Sequence, residues 1–266
     1  MFPHPRKRFG QNFLQDPAVI DRILVAIAPH PGERLVEIGP GRGAITRPLL
    51  RLAGHLDVVE LDRDLIEPLA RACRTLGDLT IHQADALVFE LCPLTQRNEK
   101  LRIVGNLPYN ISTPLLFRFL EQKNCIHDLH LMLQKEVVDR IVAPPGSKTY
   151  GRLSVMIQTW CRADALFTIP PAAFFPAPLV DSAFLQLVPL FPSPQRPREP
   201  RHHAHLVAQA FSQRRKTLRN TLKDLVRPEV FAQLNIDPGQ RAEELPVSAF
   251  VELADLTCNT LSTPDI

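Results

Sequence analysis

No stretch of about 18 consecutive apolar residues occurs in the chain, which excludes a helical membrane span. The basic start, MFPHPRKRFGQNF, lacks the apolar run of a secretory signal, so no leader is expected. C-x-x-C pairs are absent as well. The five cysteines, Cys73, Cys92, Cys125, Cys161 and Cys258, are odd in number and scattered. That argues against a zinc site or a disulfide framework and predicts reduced thiols in a cytoplasmic protein. His202, His203 and His205 lack the i, i+4 spacing of a helical metal pair, so no metal is expected. No internal repeat is visible.

Hydrophobic residues form 45% of the 266 positions, enough for a sizeable core in one ordinary domain plus a small second one. The net charge is only +3, but it is unevenly placed. Residues 193–227 carry nine Lys/Arg against Glu199 and Asp224, a balance of +7. Residues 228–266 carry one Arg against seven acids, a balance of −6. The basic block suits contact with a polyanion or a solvated helix face, and charge alone does not separate the two.

The first part of the chain alternates short apolar strands with amphipathic helices. Asp16-Pro17 reads as an N-cap with proline at the first helical position, backed by the stripe Ile20, Ile23, Leu24, Ile27. Strands are expected at 35–38, 56–61, 79–82, 101–104, 129–133, 166–169 and 184–188. Helices are expected through Ile45 and Leu49, along 65–73, from a Thr113-Pro114 cap to about Leu120, and near 136–142 and 153–160. This order predicts an α/β fold, Rossmann-like, with a mainly parallel seven-stranded sheet. No clear helix separates the last two strands, so one of them should run antiparallel. Phe191-Pro192-Ser193-Pro194-Gln195-Arg196-Pro197 reads as a linker. Beyond it only helical patterns follow, at 204–211, 217–226, 229–234 and 247–256. The expected division is a catalytic domain over residues 1–192 and a small all-helical domain over 193–266.

Leu35-Val36-Glu37-Ile38-Gly39-Pro40-Gly41-Arg42-Gly43 places a G-x-G-x-G turn between a strand and a helix, where a ligand's backbone cradle belongs. Glu60 ends the next strand, where an acid accepts from ribose hydroxyls. To this point NAD and S-adenosylmethionine fit equally. Asp85, after the third strand, can accept from an adenine amino group or merely cap a helix. Gly105-Asn106-Leu107-Pro108-Tyr109, at the end of the fourth strand, decides for S-adenosylmethionine. It resembles the signature of enzymes that methylate amino nitrogens of bases. The lone pair of such an amino nitrogen is conjugated with its ring, so two acceptors must hold and pyramidalise it. The Asn106 side-chain oxygen and the Pro108 carbonyl can be those acceptors, with Tyr109 stacking on the base. Proline adds no N–H beside the site.

Phe174-Phe175-Pro176-Ala177-Pro178-Leu179-Val180-Asp181-Ser182 completes a pattern that is similar to the ribosomal RNA adenine dimethyltransferases. Arg8-Phe9-Gly10-Gln11-Asn12-Phe13-Leu14 and Phe211-Ser212-Gln213-Arg214-Arg215-Lys216-Thr217-Leu218-Arg219-Asn220 match the same family, and Ala177 stands where proline is frequent. The resemblance implies cofactor contacts at Asn12, Leu14, Gly39, Glu60, Asp85 and Asn106, and a target base between Tyr109 and Phe174. It implies a class I methyltransferase domain and dimethylation of two adjacent adenines in a hairpin near the 3′ end of small-subunit (16S) rRNA within a 30S particle; a monomer, with no metal and no membrane, is expected. Arg214, Arg215, Lys216 and Arg219 lie near the second of the C-terminal helices and are expected to contact RNA, with at least Arg215 and Arg219, i and i+4, and Lys216 beside them on one helical face. A large-subunit RNA adenine methyltransferase is the rival reading, and the Gln213 to Asn220 block favours the small subunit.

Overall fold

The computed structural model describes residues 2–6, 10–95, 99–191 and 196–258. The chain opens with β1 (Phe13–Leu14) and α1 (Pro17–Ile27), then alternates β2 (Leu35–Ile38), α2 (Thr46–Ala53), β3 (His55–Glu60), α3 (Arg63–Cys73) and β4 (Asp78–Gln83). β5 (Leu101–Asn106), α4 (Ser112–Glu121), β6 (Ile126–Gln134), α5 (Lys135–Ile141) and α6 (Arg152–Gln158) follow, then β7 (Cys161–Ile169), β8 (Phe174–Phe175) and β9 (Ser182–Pro189). The helices α7 (Pro200–Ala210), α8 (Leu218–Thr221), α9 (Pro228–Gln233) and α10 (Val247–Cys258) end the described chain.

Seven strands form one sheet in the order β4-β3-β2-β5-β6-β9-β7. β4, β3, β2, β5 and β6 pair in parallel, and β9 is antiparallel to β6. The expected class I α/β sheet with a reversed late strand is therefore present. The interior strand β2 is buried at all four positions, as a strand covered on both faces must be. The Asp16 carboxylate accepts from the Ala18 and Val19 amides, so the expected cap starts α1.

Several expectations shift. α4 begins at Ser112 rather than at a Thr113 cap, and Ile111 in the cap position makes no side-chain capping bond. β6 and β7 start earlier than their apolar cores suggest, because the buried polar Asp128 and His130 interrupt β6 and Arg162 and Asp164 interrupt β7. Cys92 and Cys125, expected as reduced thiols, form a disulfide with a Cα–Cα distance of 5.4 Å. They lie 33 positions apart, each in a short 3-10 helix, Cys92–Leu94 and Lys123–Cys125. Cys73, Cys161 and Cys258 are not disulfide-bonded.

The chain forms two compact units, one through Val138 plus Asp164–Pro189, the other Asp139–Ala163 plus the chain from Leu190 onward. The expected boundary at 192/193, with most of the proline-rich linker, lies outside the described residues. Residues 139–163 group with the C-terminal helices. Tyr150 shows why, donating its hydroxyl to the Leu245 carbonyl at 2.9 Å and meeting Phe211 edge-on with ring centroids 6.2 Å apart. In the same unit the expected helix over 217–226 shrinks to α8. The Leu218 and Arg219 amides donate to the carbonyls of Gln240 and Pro238, which fixes where α8 starts, and beyond Thr221 the chain continues as a bend and a turn rather than a helix.

Candidate active site

The carboxyl ends of β2, β3 and β5 surround a cavity of about 340 Å³. That is within the usual range for a small-molecule site. All six expected cofactor contacts line it: Asn12, Leu14, Gly39, Glu60, Asp85 and Asn106. Gly39 and Gly41 hold φ of +68° and +57°, which side chains rarely adopt. A Cβ on Gly41 would stand 3.0 Å from the Phe13 ring, so β1 closes directly over the glycine turn.

Glu60 is 7% exposed, and its two oxygens accept from the Gly41 amide at 3.2 Å and the Asp62 amide at 2.8 Å. These bonds hold the carboxylate across the turn and leave each oxygen a further lone pair. Burial raises its pKa, against the pull of those backbone donors. Asp85 accepts from the Leu87 amide at 2.9 Å through one oxygen, so it caps its turn and faces the cavity at once.

Asn106 is fixed by an unambiguous donor. Its Nδ2 donates to the Asn12 carbonyl at 2.9 Å. A carbonyl only accepts, so the amide nitrogen must face Asn12 and Oδ1 is left as an acceptor at the cavity wall. Pro108 and Tyr109 line the same wall. The Pro108 carbonyl takes the Ile111 amide at 3.1 Å and retains one lone pair.

Phe174 departs from expectation. It is 4% exposed, belongs to the core cluster with Leu14, Ile169 and Phe184, and is not among the described lining residues. Leu14 pairs with Phe174, and alternation along β8 turns Phe175 outward, where it is 49% exposed. The structure thus places Tyr109 on the cavity wall and Phe174 in the core beneath β1. The basic cluster is also rearranged. Arg214, Arg215 and Lys216 lie in a turn ahead of α8 and only Arg219 lies in the helix, so the expected shared helical face does not exist. Arg214 is engaged by Glu243 at 3.0 Å and by the Lys148 carbonyl.

Glu37 is a site residue that the strand pattern alone does not reveal. It is 2% exposed, its Oε2 has no partner, and it lines the cavity beside Glu60. Burial, with the neighbouring Glu60 charge, pushes its pKa up to about 8. An acid within the apolar run Leu-Val-Glu-Ile is the signal that could have found it. The Glu60 and Asp85 carboxylates on one pocket wall offer acceptor oxygens that fit the hydroxyl and amino donors of S-adenosylmethionine. Among the described residues no group of three or more His, Cys, Asp or Glu is placed to hold a metal. No described helix is long and apolar enough to cross a membrane.

The family described as ribosomal RNA adenine dimethylase matches residues 4–258. The chain belongs to that family. This adenine dimethylase is 53% identical over 251 residues to "Ribosomal RNA small subunit methyltransferase A" of Xylella fastidiosa, covering 94% of this chain and 95% of the relative. It is 52% identical over 255 residues to the protein of the same name in Acidithiobacillus ferrooxidans, covering 96% and 95%. A dimethyladenosine transferase from Plasmodium falciparum shares the fold, with a TM-score of 0.79 at 24% identity over 91% of this chain and 95% of that one. The dimethylase is thus an S-adenosylmethionine-dependent enzyme acting on rRNA adenine.

Proposed function

We propose that the chain converts two adjacent adenines in a hairpin near the 3′ end of small-subunit (16S) rRNA to N6,N6-dimethyladenosine. The observation that carries the reading is the Asn106 amide, whose nitrogen is taken by the Asn12 carbonyl so that Oδ1 is its acceptor, in a residue that lines the cavity with Pro108 and Tyr109. When bound, S-adenosylmethionine supplies a methyl group on a positively charged sulfur. Glu60 accepts from its ribose hydroxyls, Asp85 from its adenine amino group, and Asn12, Leu14 and Gly39 shape the cradle. Asn106 Oδ1 and the Pro108 carbonyl accept the two hydrogens of the target amino group and aim its lone pair at the pocket. Tyr109 gives the base a flat apolar platform. Positioning of this kind supplies rate without a strong base.

The C-terminal unit positions the RNA. Arg215, Lys216 and Arg219 are exposed and basic, suited to phosphates whose contacts orient without reading sequence. The substrate is the 30S particle rather than free RNA, the enzyme acts as a monomer, and it works in the cytoplasm. The test is to incubate the protein with labelled cofactor and under-methylated small subunits and map the modified bases. Label on the two adjacent adenines is expected, and label elsewhere or none would overturn the assignment.

A further inference from the structure

Ser182 closes the family-like motif, yet the chemistry of base orientation gives it no task by itself. It is fully buried, at the start of β9. Because β9 is antiparallel to β6, its start lies at the carboxyl ends of the parallel strands, where the site is built. Its backbone is pinned there. Ser182 pairs with Gln134 at the end of β6, and the Asp181 carbonyl accepts from the Lys135 amide at 2.9 Å. Ser182 Oγ and the Tyr109 hydroxyl share a hydrogen bond of 2.6 Å, with either able to donate. At the other end of the tyrosine, Ser112 Oγ donates to the Tyr109 carbonyl at 3.1 Å, and Ser112 is itself buried. Burial raises the phenol's pKa, so the hydroxyl keeps its proton and the bond persists at neutral pH.

We infer that Ser182 is a positioning residue, which tethers the Tyr109 hydroxyl to the sheet and thereby fixes the ring as a platform for the target base. This rests on the reading of Tyr109 as that platform. A ring on the turn after β5 has rotamer freedom of its own. A ring whose hydroxyl is bonded to buried Ser182, on a backbone whose carbonyl is bonded to buried Ser112, does not. The tether lies 73 positions away in sequence and crosses between strands that are not neighbours, so it couples the Asn-Leu-Pro-Tyr turn to the late motif ending in Val180-Asp181-Ser182. Both motifs then serve one function, orientation of the base.

The experiment compares Ser182→Ala, Tyr109→Phe, the double variant, Ser182→Thr and Tyr109→Ala in the full chain, with small subunits as substrate. Ser182→Ala and Tyr109→Phe should each lower kcat by about 10- to 100-fold, the cost of a misplaced reacting group. KM for the subunits and calorimetric cofactor affinity should hold. The double variant should be no slower than either single one, and Ser182→Thr should recover turnover. Wild-type turnover in both single variants, or rate reductions that multiply in the double, would overturn the tether. If Ser182→Ala does not fold, Tyr109→Phe, which removes one oxygen, decides alone. Wild-type turnover in Tyr109→Ala would instead overturn the platform reading beneath it.

Discussion

The side-chain nitrogen of Asn106 donates to the backbone carbonyl of Asn12, 94 positions earlier in the chain, at 2.9 Å. The N-terminal segment thus does more than cover the pocket. It sets which end of the Asn106 amide meets the substrate.

Asn106→Ala should therefore remove methyl transfer while leaving the fold intact, since the side chain orients a substrate and packs no core. Loss of one preorganised polar group costs roughly 10²–10³ in rate. Single-turnover transfer and a thermal melt check this together. Near-normal turnover in this variant would remove the proposed mechanism. Asn106→Asp should fail as well, because a carboxylate cannot donate to Asn12.

Glu60→Ala should weaken S-adenosylmethionine binding. Hydrogen bonds to charged groups contribute on the order of 1.5–3 kcal/mol, or about 10- to 150-fold in affinity. Calorimetry with unchanged affinity would contradict the ribose assignment, and the same titration with NAD should show no heat of binding.

Glu37 and pH follow from its folded pKa of about 8 against an ordinary 4.5. The folded state holds the proton more tightly than the unfolded state. The stability this brings is complete below pH 4.5 and lost as pH rises through 8. Thermal melts of the wild type and Glu37→Gln should diverge between about pH 5 and pH 8.5, the wild type falling relative to the variant. A constant difference across that range would show that Glu37 is ionised in the fold.

His203 works in the opposite sense. It is fully buried, neither ring nitrogen has a partner, and burial lowers its pKa to about 4 from 6.5. It must stay neutral in the fold, so its contribution is present above pH 6.5 and lost as pH falls through 4. An unsatisfied buried polar group costs about 1–3 kcal/mol. His203→Leu should thus be at least as stable as wild type at about pH 7 and gain on it at about pH 5. A variant that loses stability equally at both values would refute the account.

Replacing Arg215, Lys216 and Arg219 together by Gln should weaken subunit binding and flatten its salt dependence. The slope should fall by up to about 0.7–0.9 log units for each phosphate no longer neutralised. Cofactor affinity should not change. Arg214→Gln is the control. Arg214 is 61% exposed in its pair with Glu243, and exposed pairs contribute at most about 1 kcal/mol, so its melt should barely move. An unchanged salt slope in the triple variant would reduce the cluster to a solvated turn.

Local chemistry made much of this protein legible in its sequence. Asp16-Pro17 caps α1 because a carboxylate and a preset φ act within one turn. The strand periods, the glycine turn, Glu60, Asp85 and Asn-Leu-Pro-Tyr are likewise short-range patterns, and they lie around one cavity because parallel strands place their carboxyl ends together. Long-range pairing left no such mark. Cys92 meets Cys125, Tyr109 meets Ser182, and residues 139–163 join the C-terminal helices through contacts between segments that no spacing announces. Phe174 and Phe175 are chemically identical neighbours, and only the register of β8 against β1 decides which enters the core. Arg215 and Arg219 share a helical face only if a helix runs through both, and the carbonyls of Gln240 and Pro238 end that possibility by taking the amides at 218 and 219. Periodicity reports which residues want burial, whereas the partner that buries them is chosen by the fold.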